Sequence, residues 1–305
     1  MSLSRGDITA AAAELLETPV LEAVRLPAGH ANETWRVTAA TGALFVVKIG
    51  PLGYALKWRS AHQALDLAAA AGLPVARLVR SAAQGDRLVR AFAWVEGRAP
   101  EPAELGPEGV RRLFTDLGAA LRALHGIECD GFTSRLDGSA PSFARWPDYL
   151  SVRIEAIAAR CRATGALAES ELERVLAAVE KLMAQVGDEG RPTLCHRDLY
   201  VDNLLVDPSG RLAAILDFDT AEVWDHAGEF DKLDRLLIPA FPDARRWFDE
   251  AYWAGRSRPP HWEERVRLVT LIEALNTLPN AIISGWDKAF ANEAHARIRS
   301  IIELC

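Results

Sequence analysis

The run Cys195-His196-Arg197-Asp198-Leu199-Tyr200-Val201-Asp202-Asn203-Leu204-Leu205-Val206-Asp207, followed by Ile215-Leu216-Asp217-Phe218-Asp219, decides how this chain is read. It sets an acid, Asp198, five residues before an amide, Asn203, and a second acid, Asp217, fourteen residues after that. Asn203 to Asp207 and Leu212 to Leu216 read as two short strands around a Pro208-Ser209-Gly210 turn. A hairpin of this kind folds the loop 196–203 back beside Asp217, so the three polar side chains converge. The set suits phosphoryl transfer. One carboxylate orients an acceptor hydroxyl and takes its proton, while an amide oxygen and a second carboxylate are hard ligands for magnesium on nucleotide phosphates. A polar loop and a strand-end acid that only cap local backbone form the competing reading. The spacing of the triple and its flanking strands count against that reading.

Upstream of this segment the chain is rich in strand signals. A short helix over 7–17, capped near Asp7, precedes strands at Val20 to Leu26, Glu33 to Thr38 and Leu44 to Ile49. An alanine-rich helix over 60–71 ends at Gly72 and Pro74, and strands at 76–80 and 87–94 complete a five-stranded sheet. Lys48 ends an apolar strand, where an ammonium can meet donor phosphates; the bland alternative is an edge lysine that blunts sheet pairing. Pro27 to Thr34 is a loop with a single glycine, Gly29, and an amide, Asn32. Phe92 to Gly97 reads as the last strand running into a turn.

Beyond Gly97 the periodicity turns helical. Val110, Leu113, Leu117, Leu121 and Leu124 mark one face of a helix over 108–124. Further helices are expected over 146–163, 170–186, 262–276 and 287–304, with breaks at Pro239, Pro242 and Pro259-Pro260. The boundary between the halves is placed near Arg98 to Pro102, giving lobes 1–96 and 97–305. The first holds 10 basic and 8 acidic residues and the second 25 and 34, within a net charge of −7. That division suits a polyanionic donor and a cationic acceptor, although acidic surfaces also simply keep proteins soluble. The second half carries Trp224, Trp247, Trp253, Trp262 and Trp286, with Glu222, Asp225, Asp249, Glu250, Glu263, Glu264 and Glu273. Aromatic faces and carboxylates suit amino sugars, but most of these residues are expected to be helical core or solvated surface. No basic stripe for nucleic acid, no membrane-length apolar run and no secretion signal is read in the sequence, which makes the cytoplasm the default location. The scattered Cys129, Cys161, Cys195 and Cys305 read as reduced thiols.

His196-Arg197-Asp198 with Asn203, then Leu216-Asp217-Phe218-Asp219, resembles the aminoglycoside phosphotransferase family of small-molecule kinases. The resemblance implies an α+β, two-lobed protein-kinase-like fold: a small N-terminal five-stranded antiparallel sheet plus a helix, then a larger, mainly helical C-terminal lobe. It implies ATP and Mg2+ as cofactors and a small-molecule hydroxyl acceptor, with an aminoglycoside antibiotic as the eponymous case. Asp198 then matches the catalytic acid, and Asn203 and Asp217 the magnesium ligands. Lys48, Gly29 and Asn32 match the phosphate-binding positions, Phe92 to Gly97 a hinge whose backbone at Ala93, Trp94 and Val95 can read a base edge, His196 a loop brace and Asp231 an anchor of the catalytic loop. The helical Glu that normally holds the strand lysine is missing. Gln63 stands near its place and Asp66 one turn on, so Lys48 is expected to use one of these or the phosphate alone. A metabolic kinase for homoserine, choline, a sugar or an amino sugar is the nearest alternative, and an inactive nucleotide-binding pseudokinase the one from another class. A protein kinase is disfavoured: no Ala-Pro-Glu sequence follows Asp217, and Asp219 stands where Gly is expected.

Overall fold

The computed structural model describes residues 4–26 and 33–304. Helix α1 (Arg5–Leu16) is capped by Ser4, whose hydroxyl accepts the Asp7 N–H while the Asp7 carboxylate accepts the Ser4 N–H. This reciprocal box closes two orphan donors of the first turn. Strands β1 (Val20–Arg25), β2 (Glu33–Ala39), β3 (Leu44–Pro51), β4 (Leu78–Gln84) and β5 (Arg87–Ala93) form one antiparallel sheet in the order β1-β2-β3-β5-β4. Alternation along each strand divides the side chains between two faces. Val37, Val47, Ile49, Val89 and Ala91 pack against Ile8, Ala12 and Leu15 of α1. Lys48 and its cross-strand partner Arg90 therefore lie on the opposite face, toward the rest of the molecule.

That second face is covered by α2 (Ala55–Ala70), which begins earlier than the alanine-rich pattern suggested and so includes the buried Trp58. Ser60 of α2 accepts the Leu136 N–H at 2.9 Å and ties the helix to the C-terminal half. Helix α3 (Pro102–Leu124) bends at Gly106, whose φ of 61° lies in the left-handed region, before Pro107. Its expected apolar face is buried. At Gly118, α7 (Ala244–Trp253) comes so close that a Cβ would stand 2.6 Å from the Phe248 carbonyl oxygen. Helices α4 (Trp146–Thr164) and α5 (Glu169–Val186) pack on α8 (Trp262–Ser284), which continues well past the expected end at 276 and pairs with α9 (Lys288–Ile302). By length and composition α8 could cross a membrane, but half of its most apolar window is buried inside the fold.

The motif segment folds as short strands. β6 (Thr193–Cys195) pairs with β9 (Glu222–Trp224), and β7 (Leu204–Val206) with β8 (Leu212–Ile215). The chain between 225 and 240 is irregular: a single turn, α6 (Phe230–Lys232), runs into a wide π turn, Leu233–Leu237, and then a 3-10 turn ending before Pro242.

Candidate active site

The hairpin closes the site as its sequence implies. The Leu216 N–H donates to the Asn203 carbonyl at 2.8 Å, which holds the loop 196–203 against Asp217. The Asn203 amide donates to the Asp198 carbonyl oxygen at 2.8 Å and to Asp198 Oδ2 at 3.3 Å. With its nitrogen used there, its amide oxygen is the end left for a ligand. His196 is fully buried and braces the loop. Its Nδ1 accepts the Asp198 N–H at 3.2 Å, so the ring proton sits on Nε2 and is donated to the Leu216 carbonyl at 2.8 Å. Asp217 adopts a left-handed backbone, φ 64°, as does Arg197 at φ 66°. Such conformations are uncommon for residues other than glycine and recur at functional sites.

Lys48 pairs with Asp217 Oδ2 at 3.0 Å. This corrects the expectation that Gln63, Asp66 or phosphate alone would hold the lysine. Arg90, opposite Lys48 on the adjacent strand, reaches Asp219 at 2.5 Å and lies 3.9 Å over the Trp58 ring. Two neighbouring cations of the sheet thus meet two carboxylates spaced by one residue. Burial alone would raise the Asp217 pKa, but Lys48, then Arg90 and His196, outweigh it and hold the carboxyl below its ordinary value. Its Oδ1 is buried and has no hydrogen-bond partner among the described residues. Beside them, burial and the charges of Asp198, Asp202 and Asp217 push the Tyr200 hydroxyl up to about 12.

At the hinge, the Ala93 N–H donates to the Arg77 carbonyl and the Trp94 N–H to the Leu44 carbonyl. Both are therefore engaged within the protein. Among the described residues the Val95 N–H has no such partner, so of the three it is the backbone donor left open. Gly29 and Asn32 lie outside the described residues.

Three features escaped the sequence reading. The loop anchor is Glu229, not Asp231. Its buried carboxylate accepts the His196 N–H at 2.7 Å and the Arg197 N–H at 2.8 Å. Burial opposes its charge, yet His125, His196 and these donors hold its pKa below the ordinary value. Asp231 instead binds Arg297 at 2.9 Å. Second, Lys232 contacts Asp198 Oδ1 directly. A lone lysine in a stretch without clear periodicity gave no signal for that contact. Third, each of the seven carboxylates weighed above as acceptor partners is ion-paired with arginine. Glu222 and Glu273 share Arg153 and Arg197 at 2.6–3.3 Å, and the buried Asp225 binds Arg265. Asp249 takes Arg245 and Arg258, and Glu250, Glu263 and Glu264 take Arg246, Arg258 and Arg267. Four of the five tryptophans have an arginine guanidinium over a ring, at 4.1 Å for Arg197 on Trp224. Trp286 is exposed against Phe290.

Comparison with solved structures reproduces this architecture at low identity. A protein from Thermobifida fusca YX-ER1 assigned as a fructosamine-3-kinase is 22% identical with a TM-score of 0.72, over 97% of this chain and all of that one. Aminoglycoside phosphotransferase APH(4)-Ia is 19% identical with a TM-score of 0.73, over 98% and 99% of the two chains. The streptomycin-ATP-APH(2")-IIa ternary complex gives 17% and 0.70, over 98% and 97%. No curated protein matches significantly. The family model described as the phosphotransferase enzyme family matches residues 22–268, most of the chain including the whole site. The protein belongs to that family, and it is a phosphotransferase.

Proposed function

We propose that this enzyme catalyses ATP-dependent, magnesium-assisted phosphoryl transfer to a hydroxyl of a small molecule. The observation that carries the reading is the convergence of Asp198, Asn203 and Asp217 beside Lys48. Neighbouring structures hold AMP-PNP with hygromycin B in an APH(4)-Ia variant, and ATP with streptomycin in APH(2")-IIa. On this reading residues 1–96 hold the nucleotide and 97–305 the acceptor and the chemistry.

The residues fit a magnesium ion. Asp217 offers a buried oxygen without a hydrogen-bond partner, and Asn203 offers its amide oxygen. Both are hard donors of the kind magnesium prefers. A bound ion would neutralise charge on the phosphate oxygens during transfer. Lys48 adds an ammonium for the donor phosphates, and Val95 a backbone donor for the base. Gly29 and Asn32 belong to the proposed phosphate cover. Asp198 orients the acceptor hydroxyl and takes its proton, while Glu229 and His196 keep the loop fixed.

For the acceptor, a cationic aminoglycoside or related antibiotic has the acidic C-terminal half and the neighbours' ligands behind it. The arginine pairing of the seven carboxylates favours the other reading, a metabolic small-molecule kinase. The Lys48–Asp217 pair gives the strand lysine a partner where the helical Glu is missing, which counts against an inactive pseudokinase. ADP release over a panel of hydroxyl acceptors tests the proposal. Asp198→Ala is expected to abolish turnover with ATP binding near that of the parent, and unchanged activity in that variant would remove Asp198 from its role.

A further inference from the structure

Lys232 has no part in the proposed function, yet it sits at its centre. Its ammonium contacts Asp198 Oδ1, while the Asn203 amide lies nearer Oδ2. The segment that carries it is firmly held. Phe230 is buried among aromatic rings, Asp231 binds Arg297 at 2.9 Å, and Arg235 binds Glu293 at 2.6 Å. The π turn that begins at the next residue inserts an extra residue and re-aims the backbone, a rare feature that concentrates at functional sites. The Lys232 and Asp198 side chains keep 35% and 21% of their surface open, so a small molecule can reach both.

The seven carboxylates weighed for a cationic acceptor are each ion-paired with arginine. A polycationic acceptor meets carboxylates that arginines occupy, and the partly open cation in contact with the candidate base is a single ammonium. A single ammonium pairs readily with one carboxylate, and the Asp198 carboxylate beside it repels a phosphate dianion more than a monoanion.

We infer that the acceptor is a hydroxy acid whose carboxylate draws Lys232 from Asp198 and whose hydroxyl takes the vacated place at Oδ1. The inference rests on the hydroxyl-phosphorylating reading above. Without an acceptor, Lys232 keeps water away from Asp198 Oδ1 and so limits ATP hydrolysis. With the acid bound, the hydroxyl oxygen forms its bond to the γ-phosphorus as the bond to the β,γ-bridging oxygen breaks. ADP leaves with that electron pair, and the hydroxyl proton passes to Asp198.

The test measures ADP release with matched acceptors. D-glycerate is set against glycerol and D-gluconate against D-glucitol, with hygromycin B and streptomycin as the cationic arm and glycerol 3-phosphate as the dianionic arm. The carboxylate member is expected to exceed its neutral partner at least tenfold in kcat/KM. Lys232→Met should erase that preference and raise acceptor-free ATP hydrolysis at least fivefold, whereas Lys232→Arg should keep most of the preference. Preference for the cationic, neutral or dianionic probes, turnover of none of them, or a Lys232→Met variant with unchanged preference and unchanged hydrolysis would overturn the assignment. Calorimetry with Mg-ATP separates the two levels. If ATP binds and aminoglycosides are phosphorylated, only the hydroxy-acid assignment falls; if ATP does not bind, the underlying function falls with it.

Discussion

The candidate site holds two lysine–aspartate pairs that join different kinds of backbone. Lys48–Asp217 joins a regular strand to a hairpin. Lys232–Asp198 joins an irregular turn to the loop 196–203. The first is backed by a second pair, Arg90–Asp219, set one strand over and two residues on. The second has no such duplicate among the described residues. The doubled pair ties the sheet to the hairpin, while in the single pair the lysine is the more open of the two site lysines. On the proposed mechanism the same chemistry serves rigidity in one place and exchange in the other.

Exchanging the two aspartates for asparagine breaks the comparison most directly. Asp217→Asn removes a candidate metal ligand and the Lys48 partner together. It should lower kcat/KM for ATP by about a thousandfold or more, with weakened nucleotide binding. Asp198→Asn should lower kcat by a similar factor, about a thousandfold, with the KM for ATP within twofold. Steady-state kinetics on both variants read the split. If both lose ATP affinity equally, the division into a nucleotide side and an acceptor side is wrong.

Arg90→Met comes next in size. It leaves the Asp219 carboxylate buried without the guanidinium that now touches it at 2.5 Å. Breaking a buried pair from one side costs about 3–5 kcal/mol, which urea unfolding would register as a lower midpoint. The double variant Arg90→Met/Asp219→Leu should regain much of that loss, because no buried charge remains. A double variant no more stable than Arg90→Met would show that the pair is not what locks sheet to hairpin.

These pairs also show where sequence reasoning reached and where it stopped. Lys48, Asn203 and Asp217 were legible because period-two strands and a turn fix their places with few alternatives. The five-strand sheet and the apolar face of α3 follow from the same local regularity. Lys232, Glu229 and the arginine partners were not legible. Lys232 and Glu229 depend on how a one-turn helix, a π turn and short 3-10 turns follow one another, which no periodicity encodes, and the arginines that reach Glu222, Asp225 and Glu273 come from elements distant in sequence. The family resemblance pointed to Asp231 as loop anchor, whereas the turns place Glu229, two residues earlier, against the loop backbone. The acidic count of the C-terminal half misled in a related way. It records carboxylates but not the arginines folded against them.

The smallest of the expected effects tests that last point through pH. Arg197, then Arg153, lower the Glu273 pKa from 4.5 to about 2 against the opposing effect of burial. A pKa depressed by folding adds stability that is fully present above the unfolded value and drains away as pH falls toward the folded one. The window for Glu273 therefore runs from about 4.5 down to about 2. Each unit of lowering corresponds to about 1.4 kcal/mol, so the ionised residue contributes on the order of 3 kcal/mol near neutrality. Glu273→Gln should forfeit most of this at pH 6. Its stability deficit against the parent should then narrow by about 2 kcal/mol at pH 3, where the parent has lost much of the same contribution. Urea midpoints measured at both pH values decide it. A deficit that stays constant on acidification would mean that the arginines do not rely on the Glu273 charge. The carboxylate would then be available to a cationic acceptor after all.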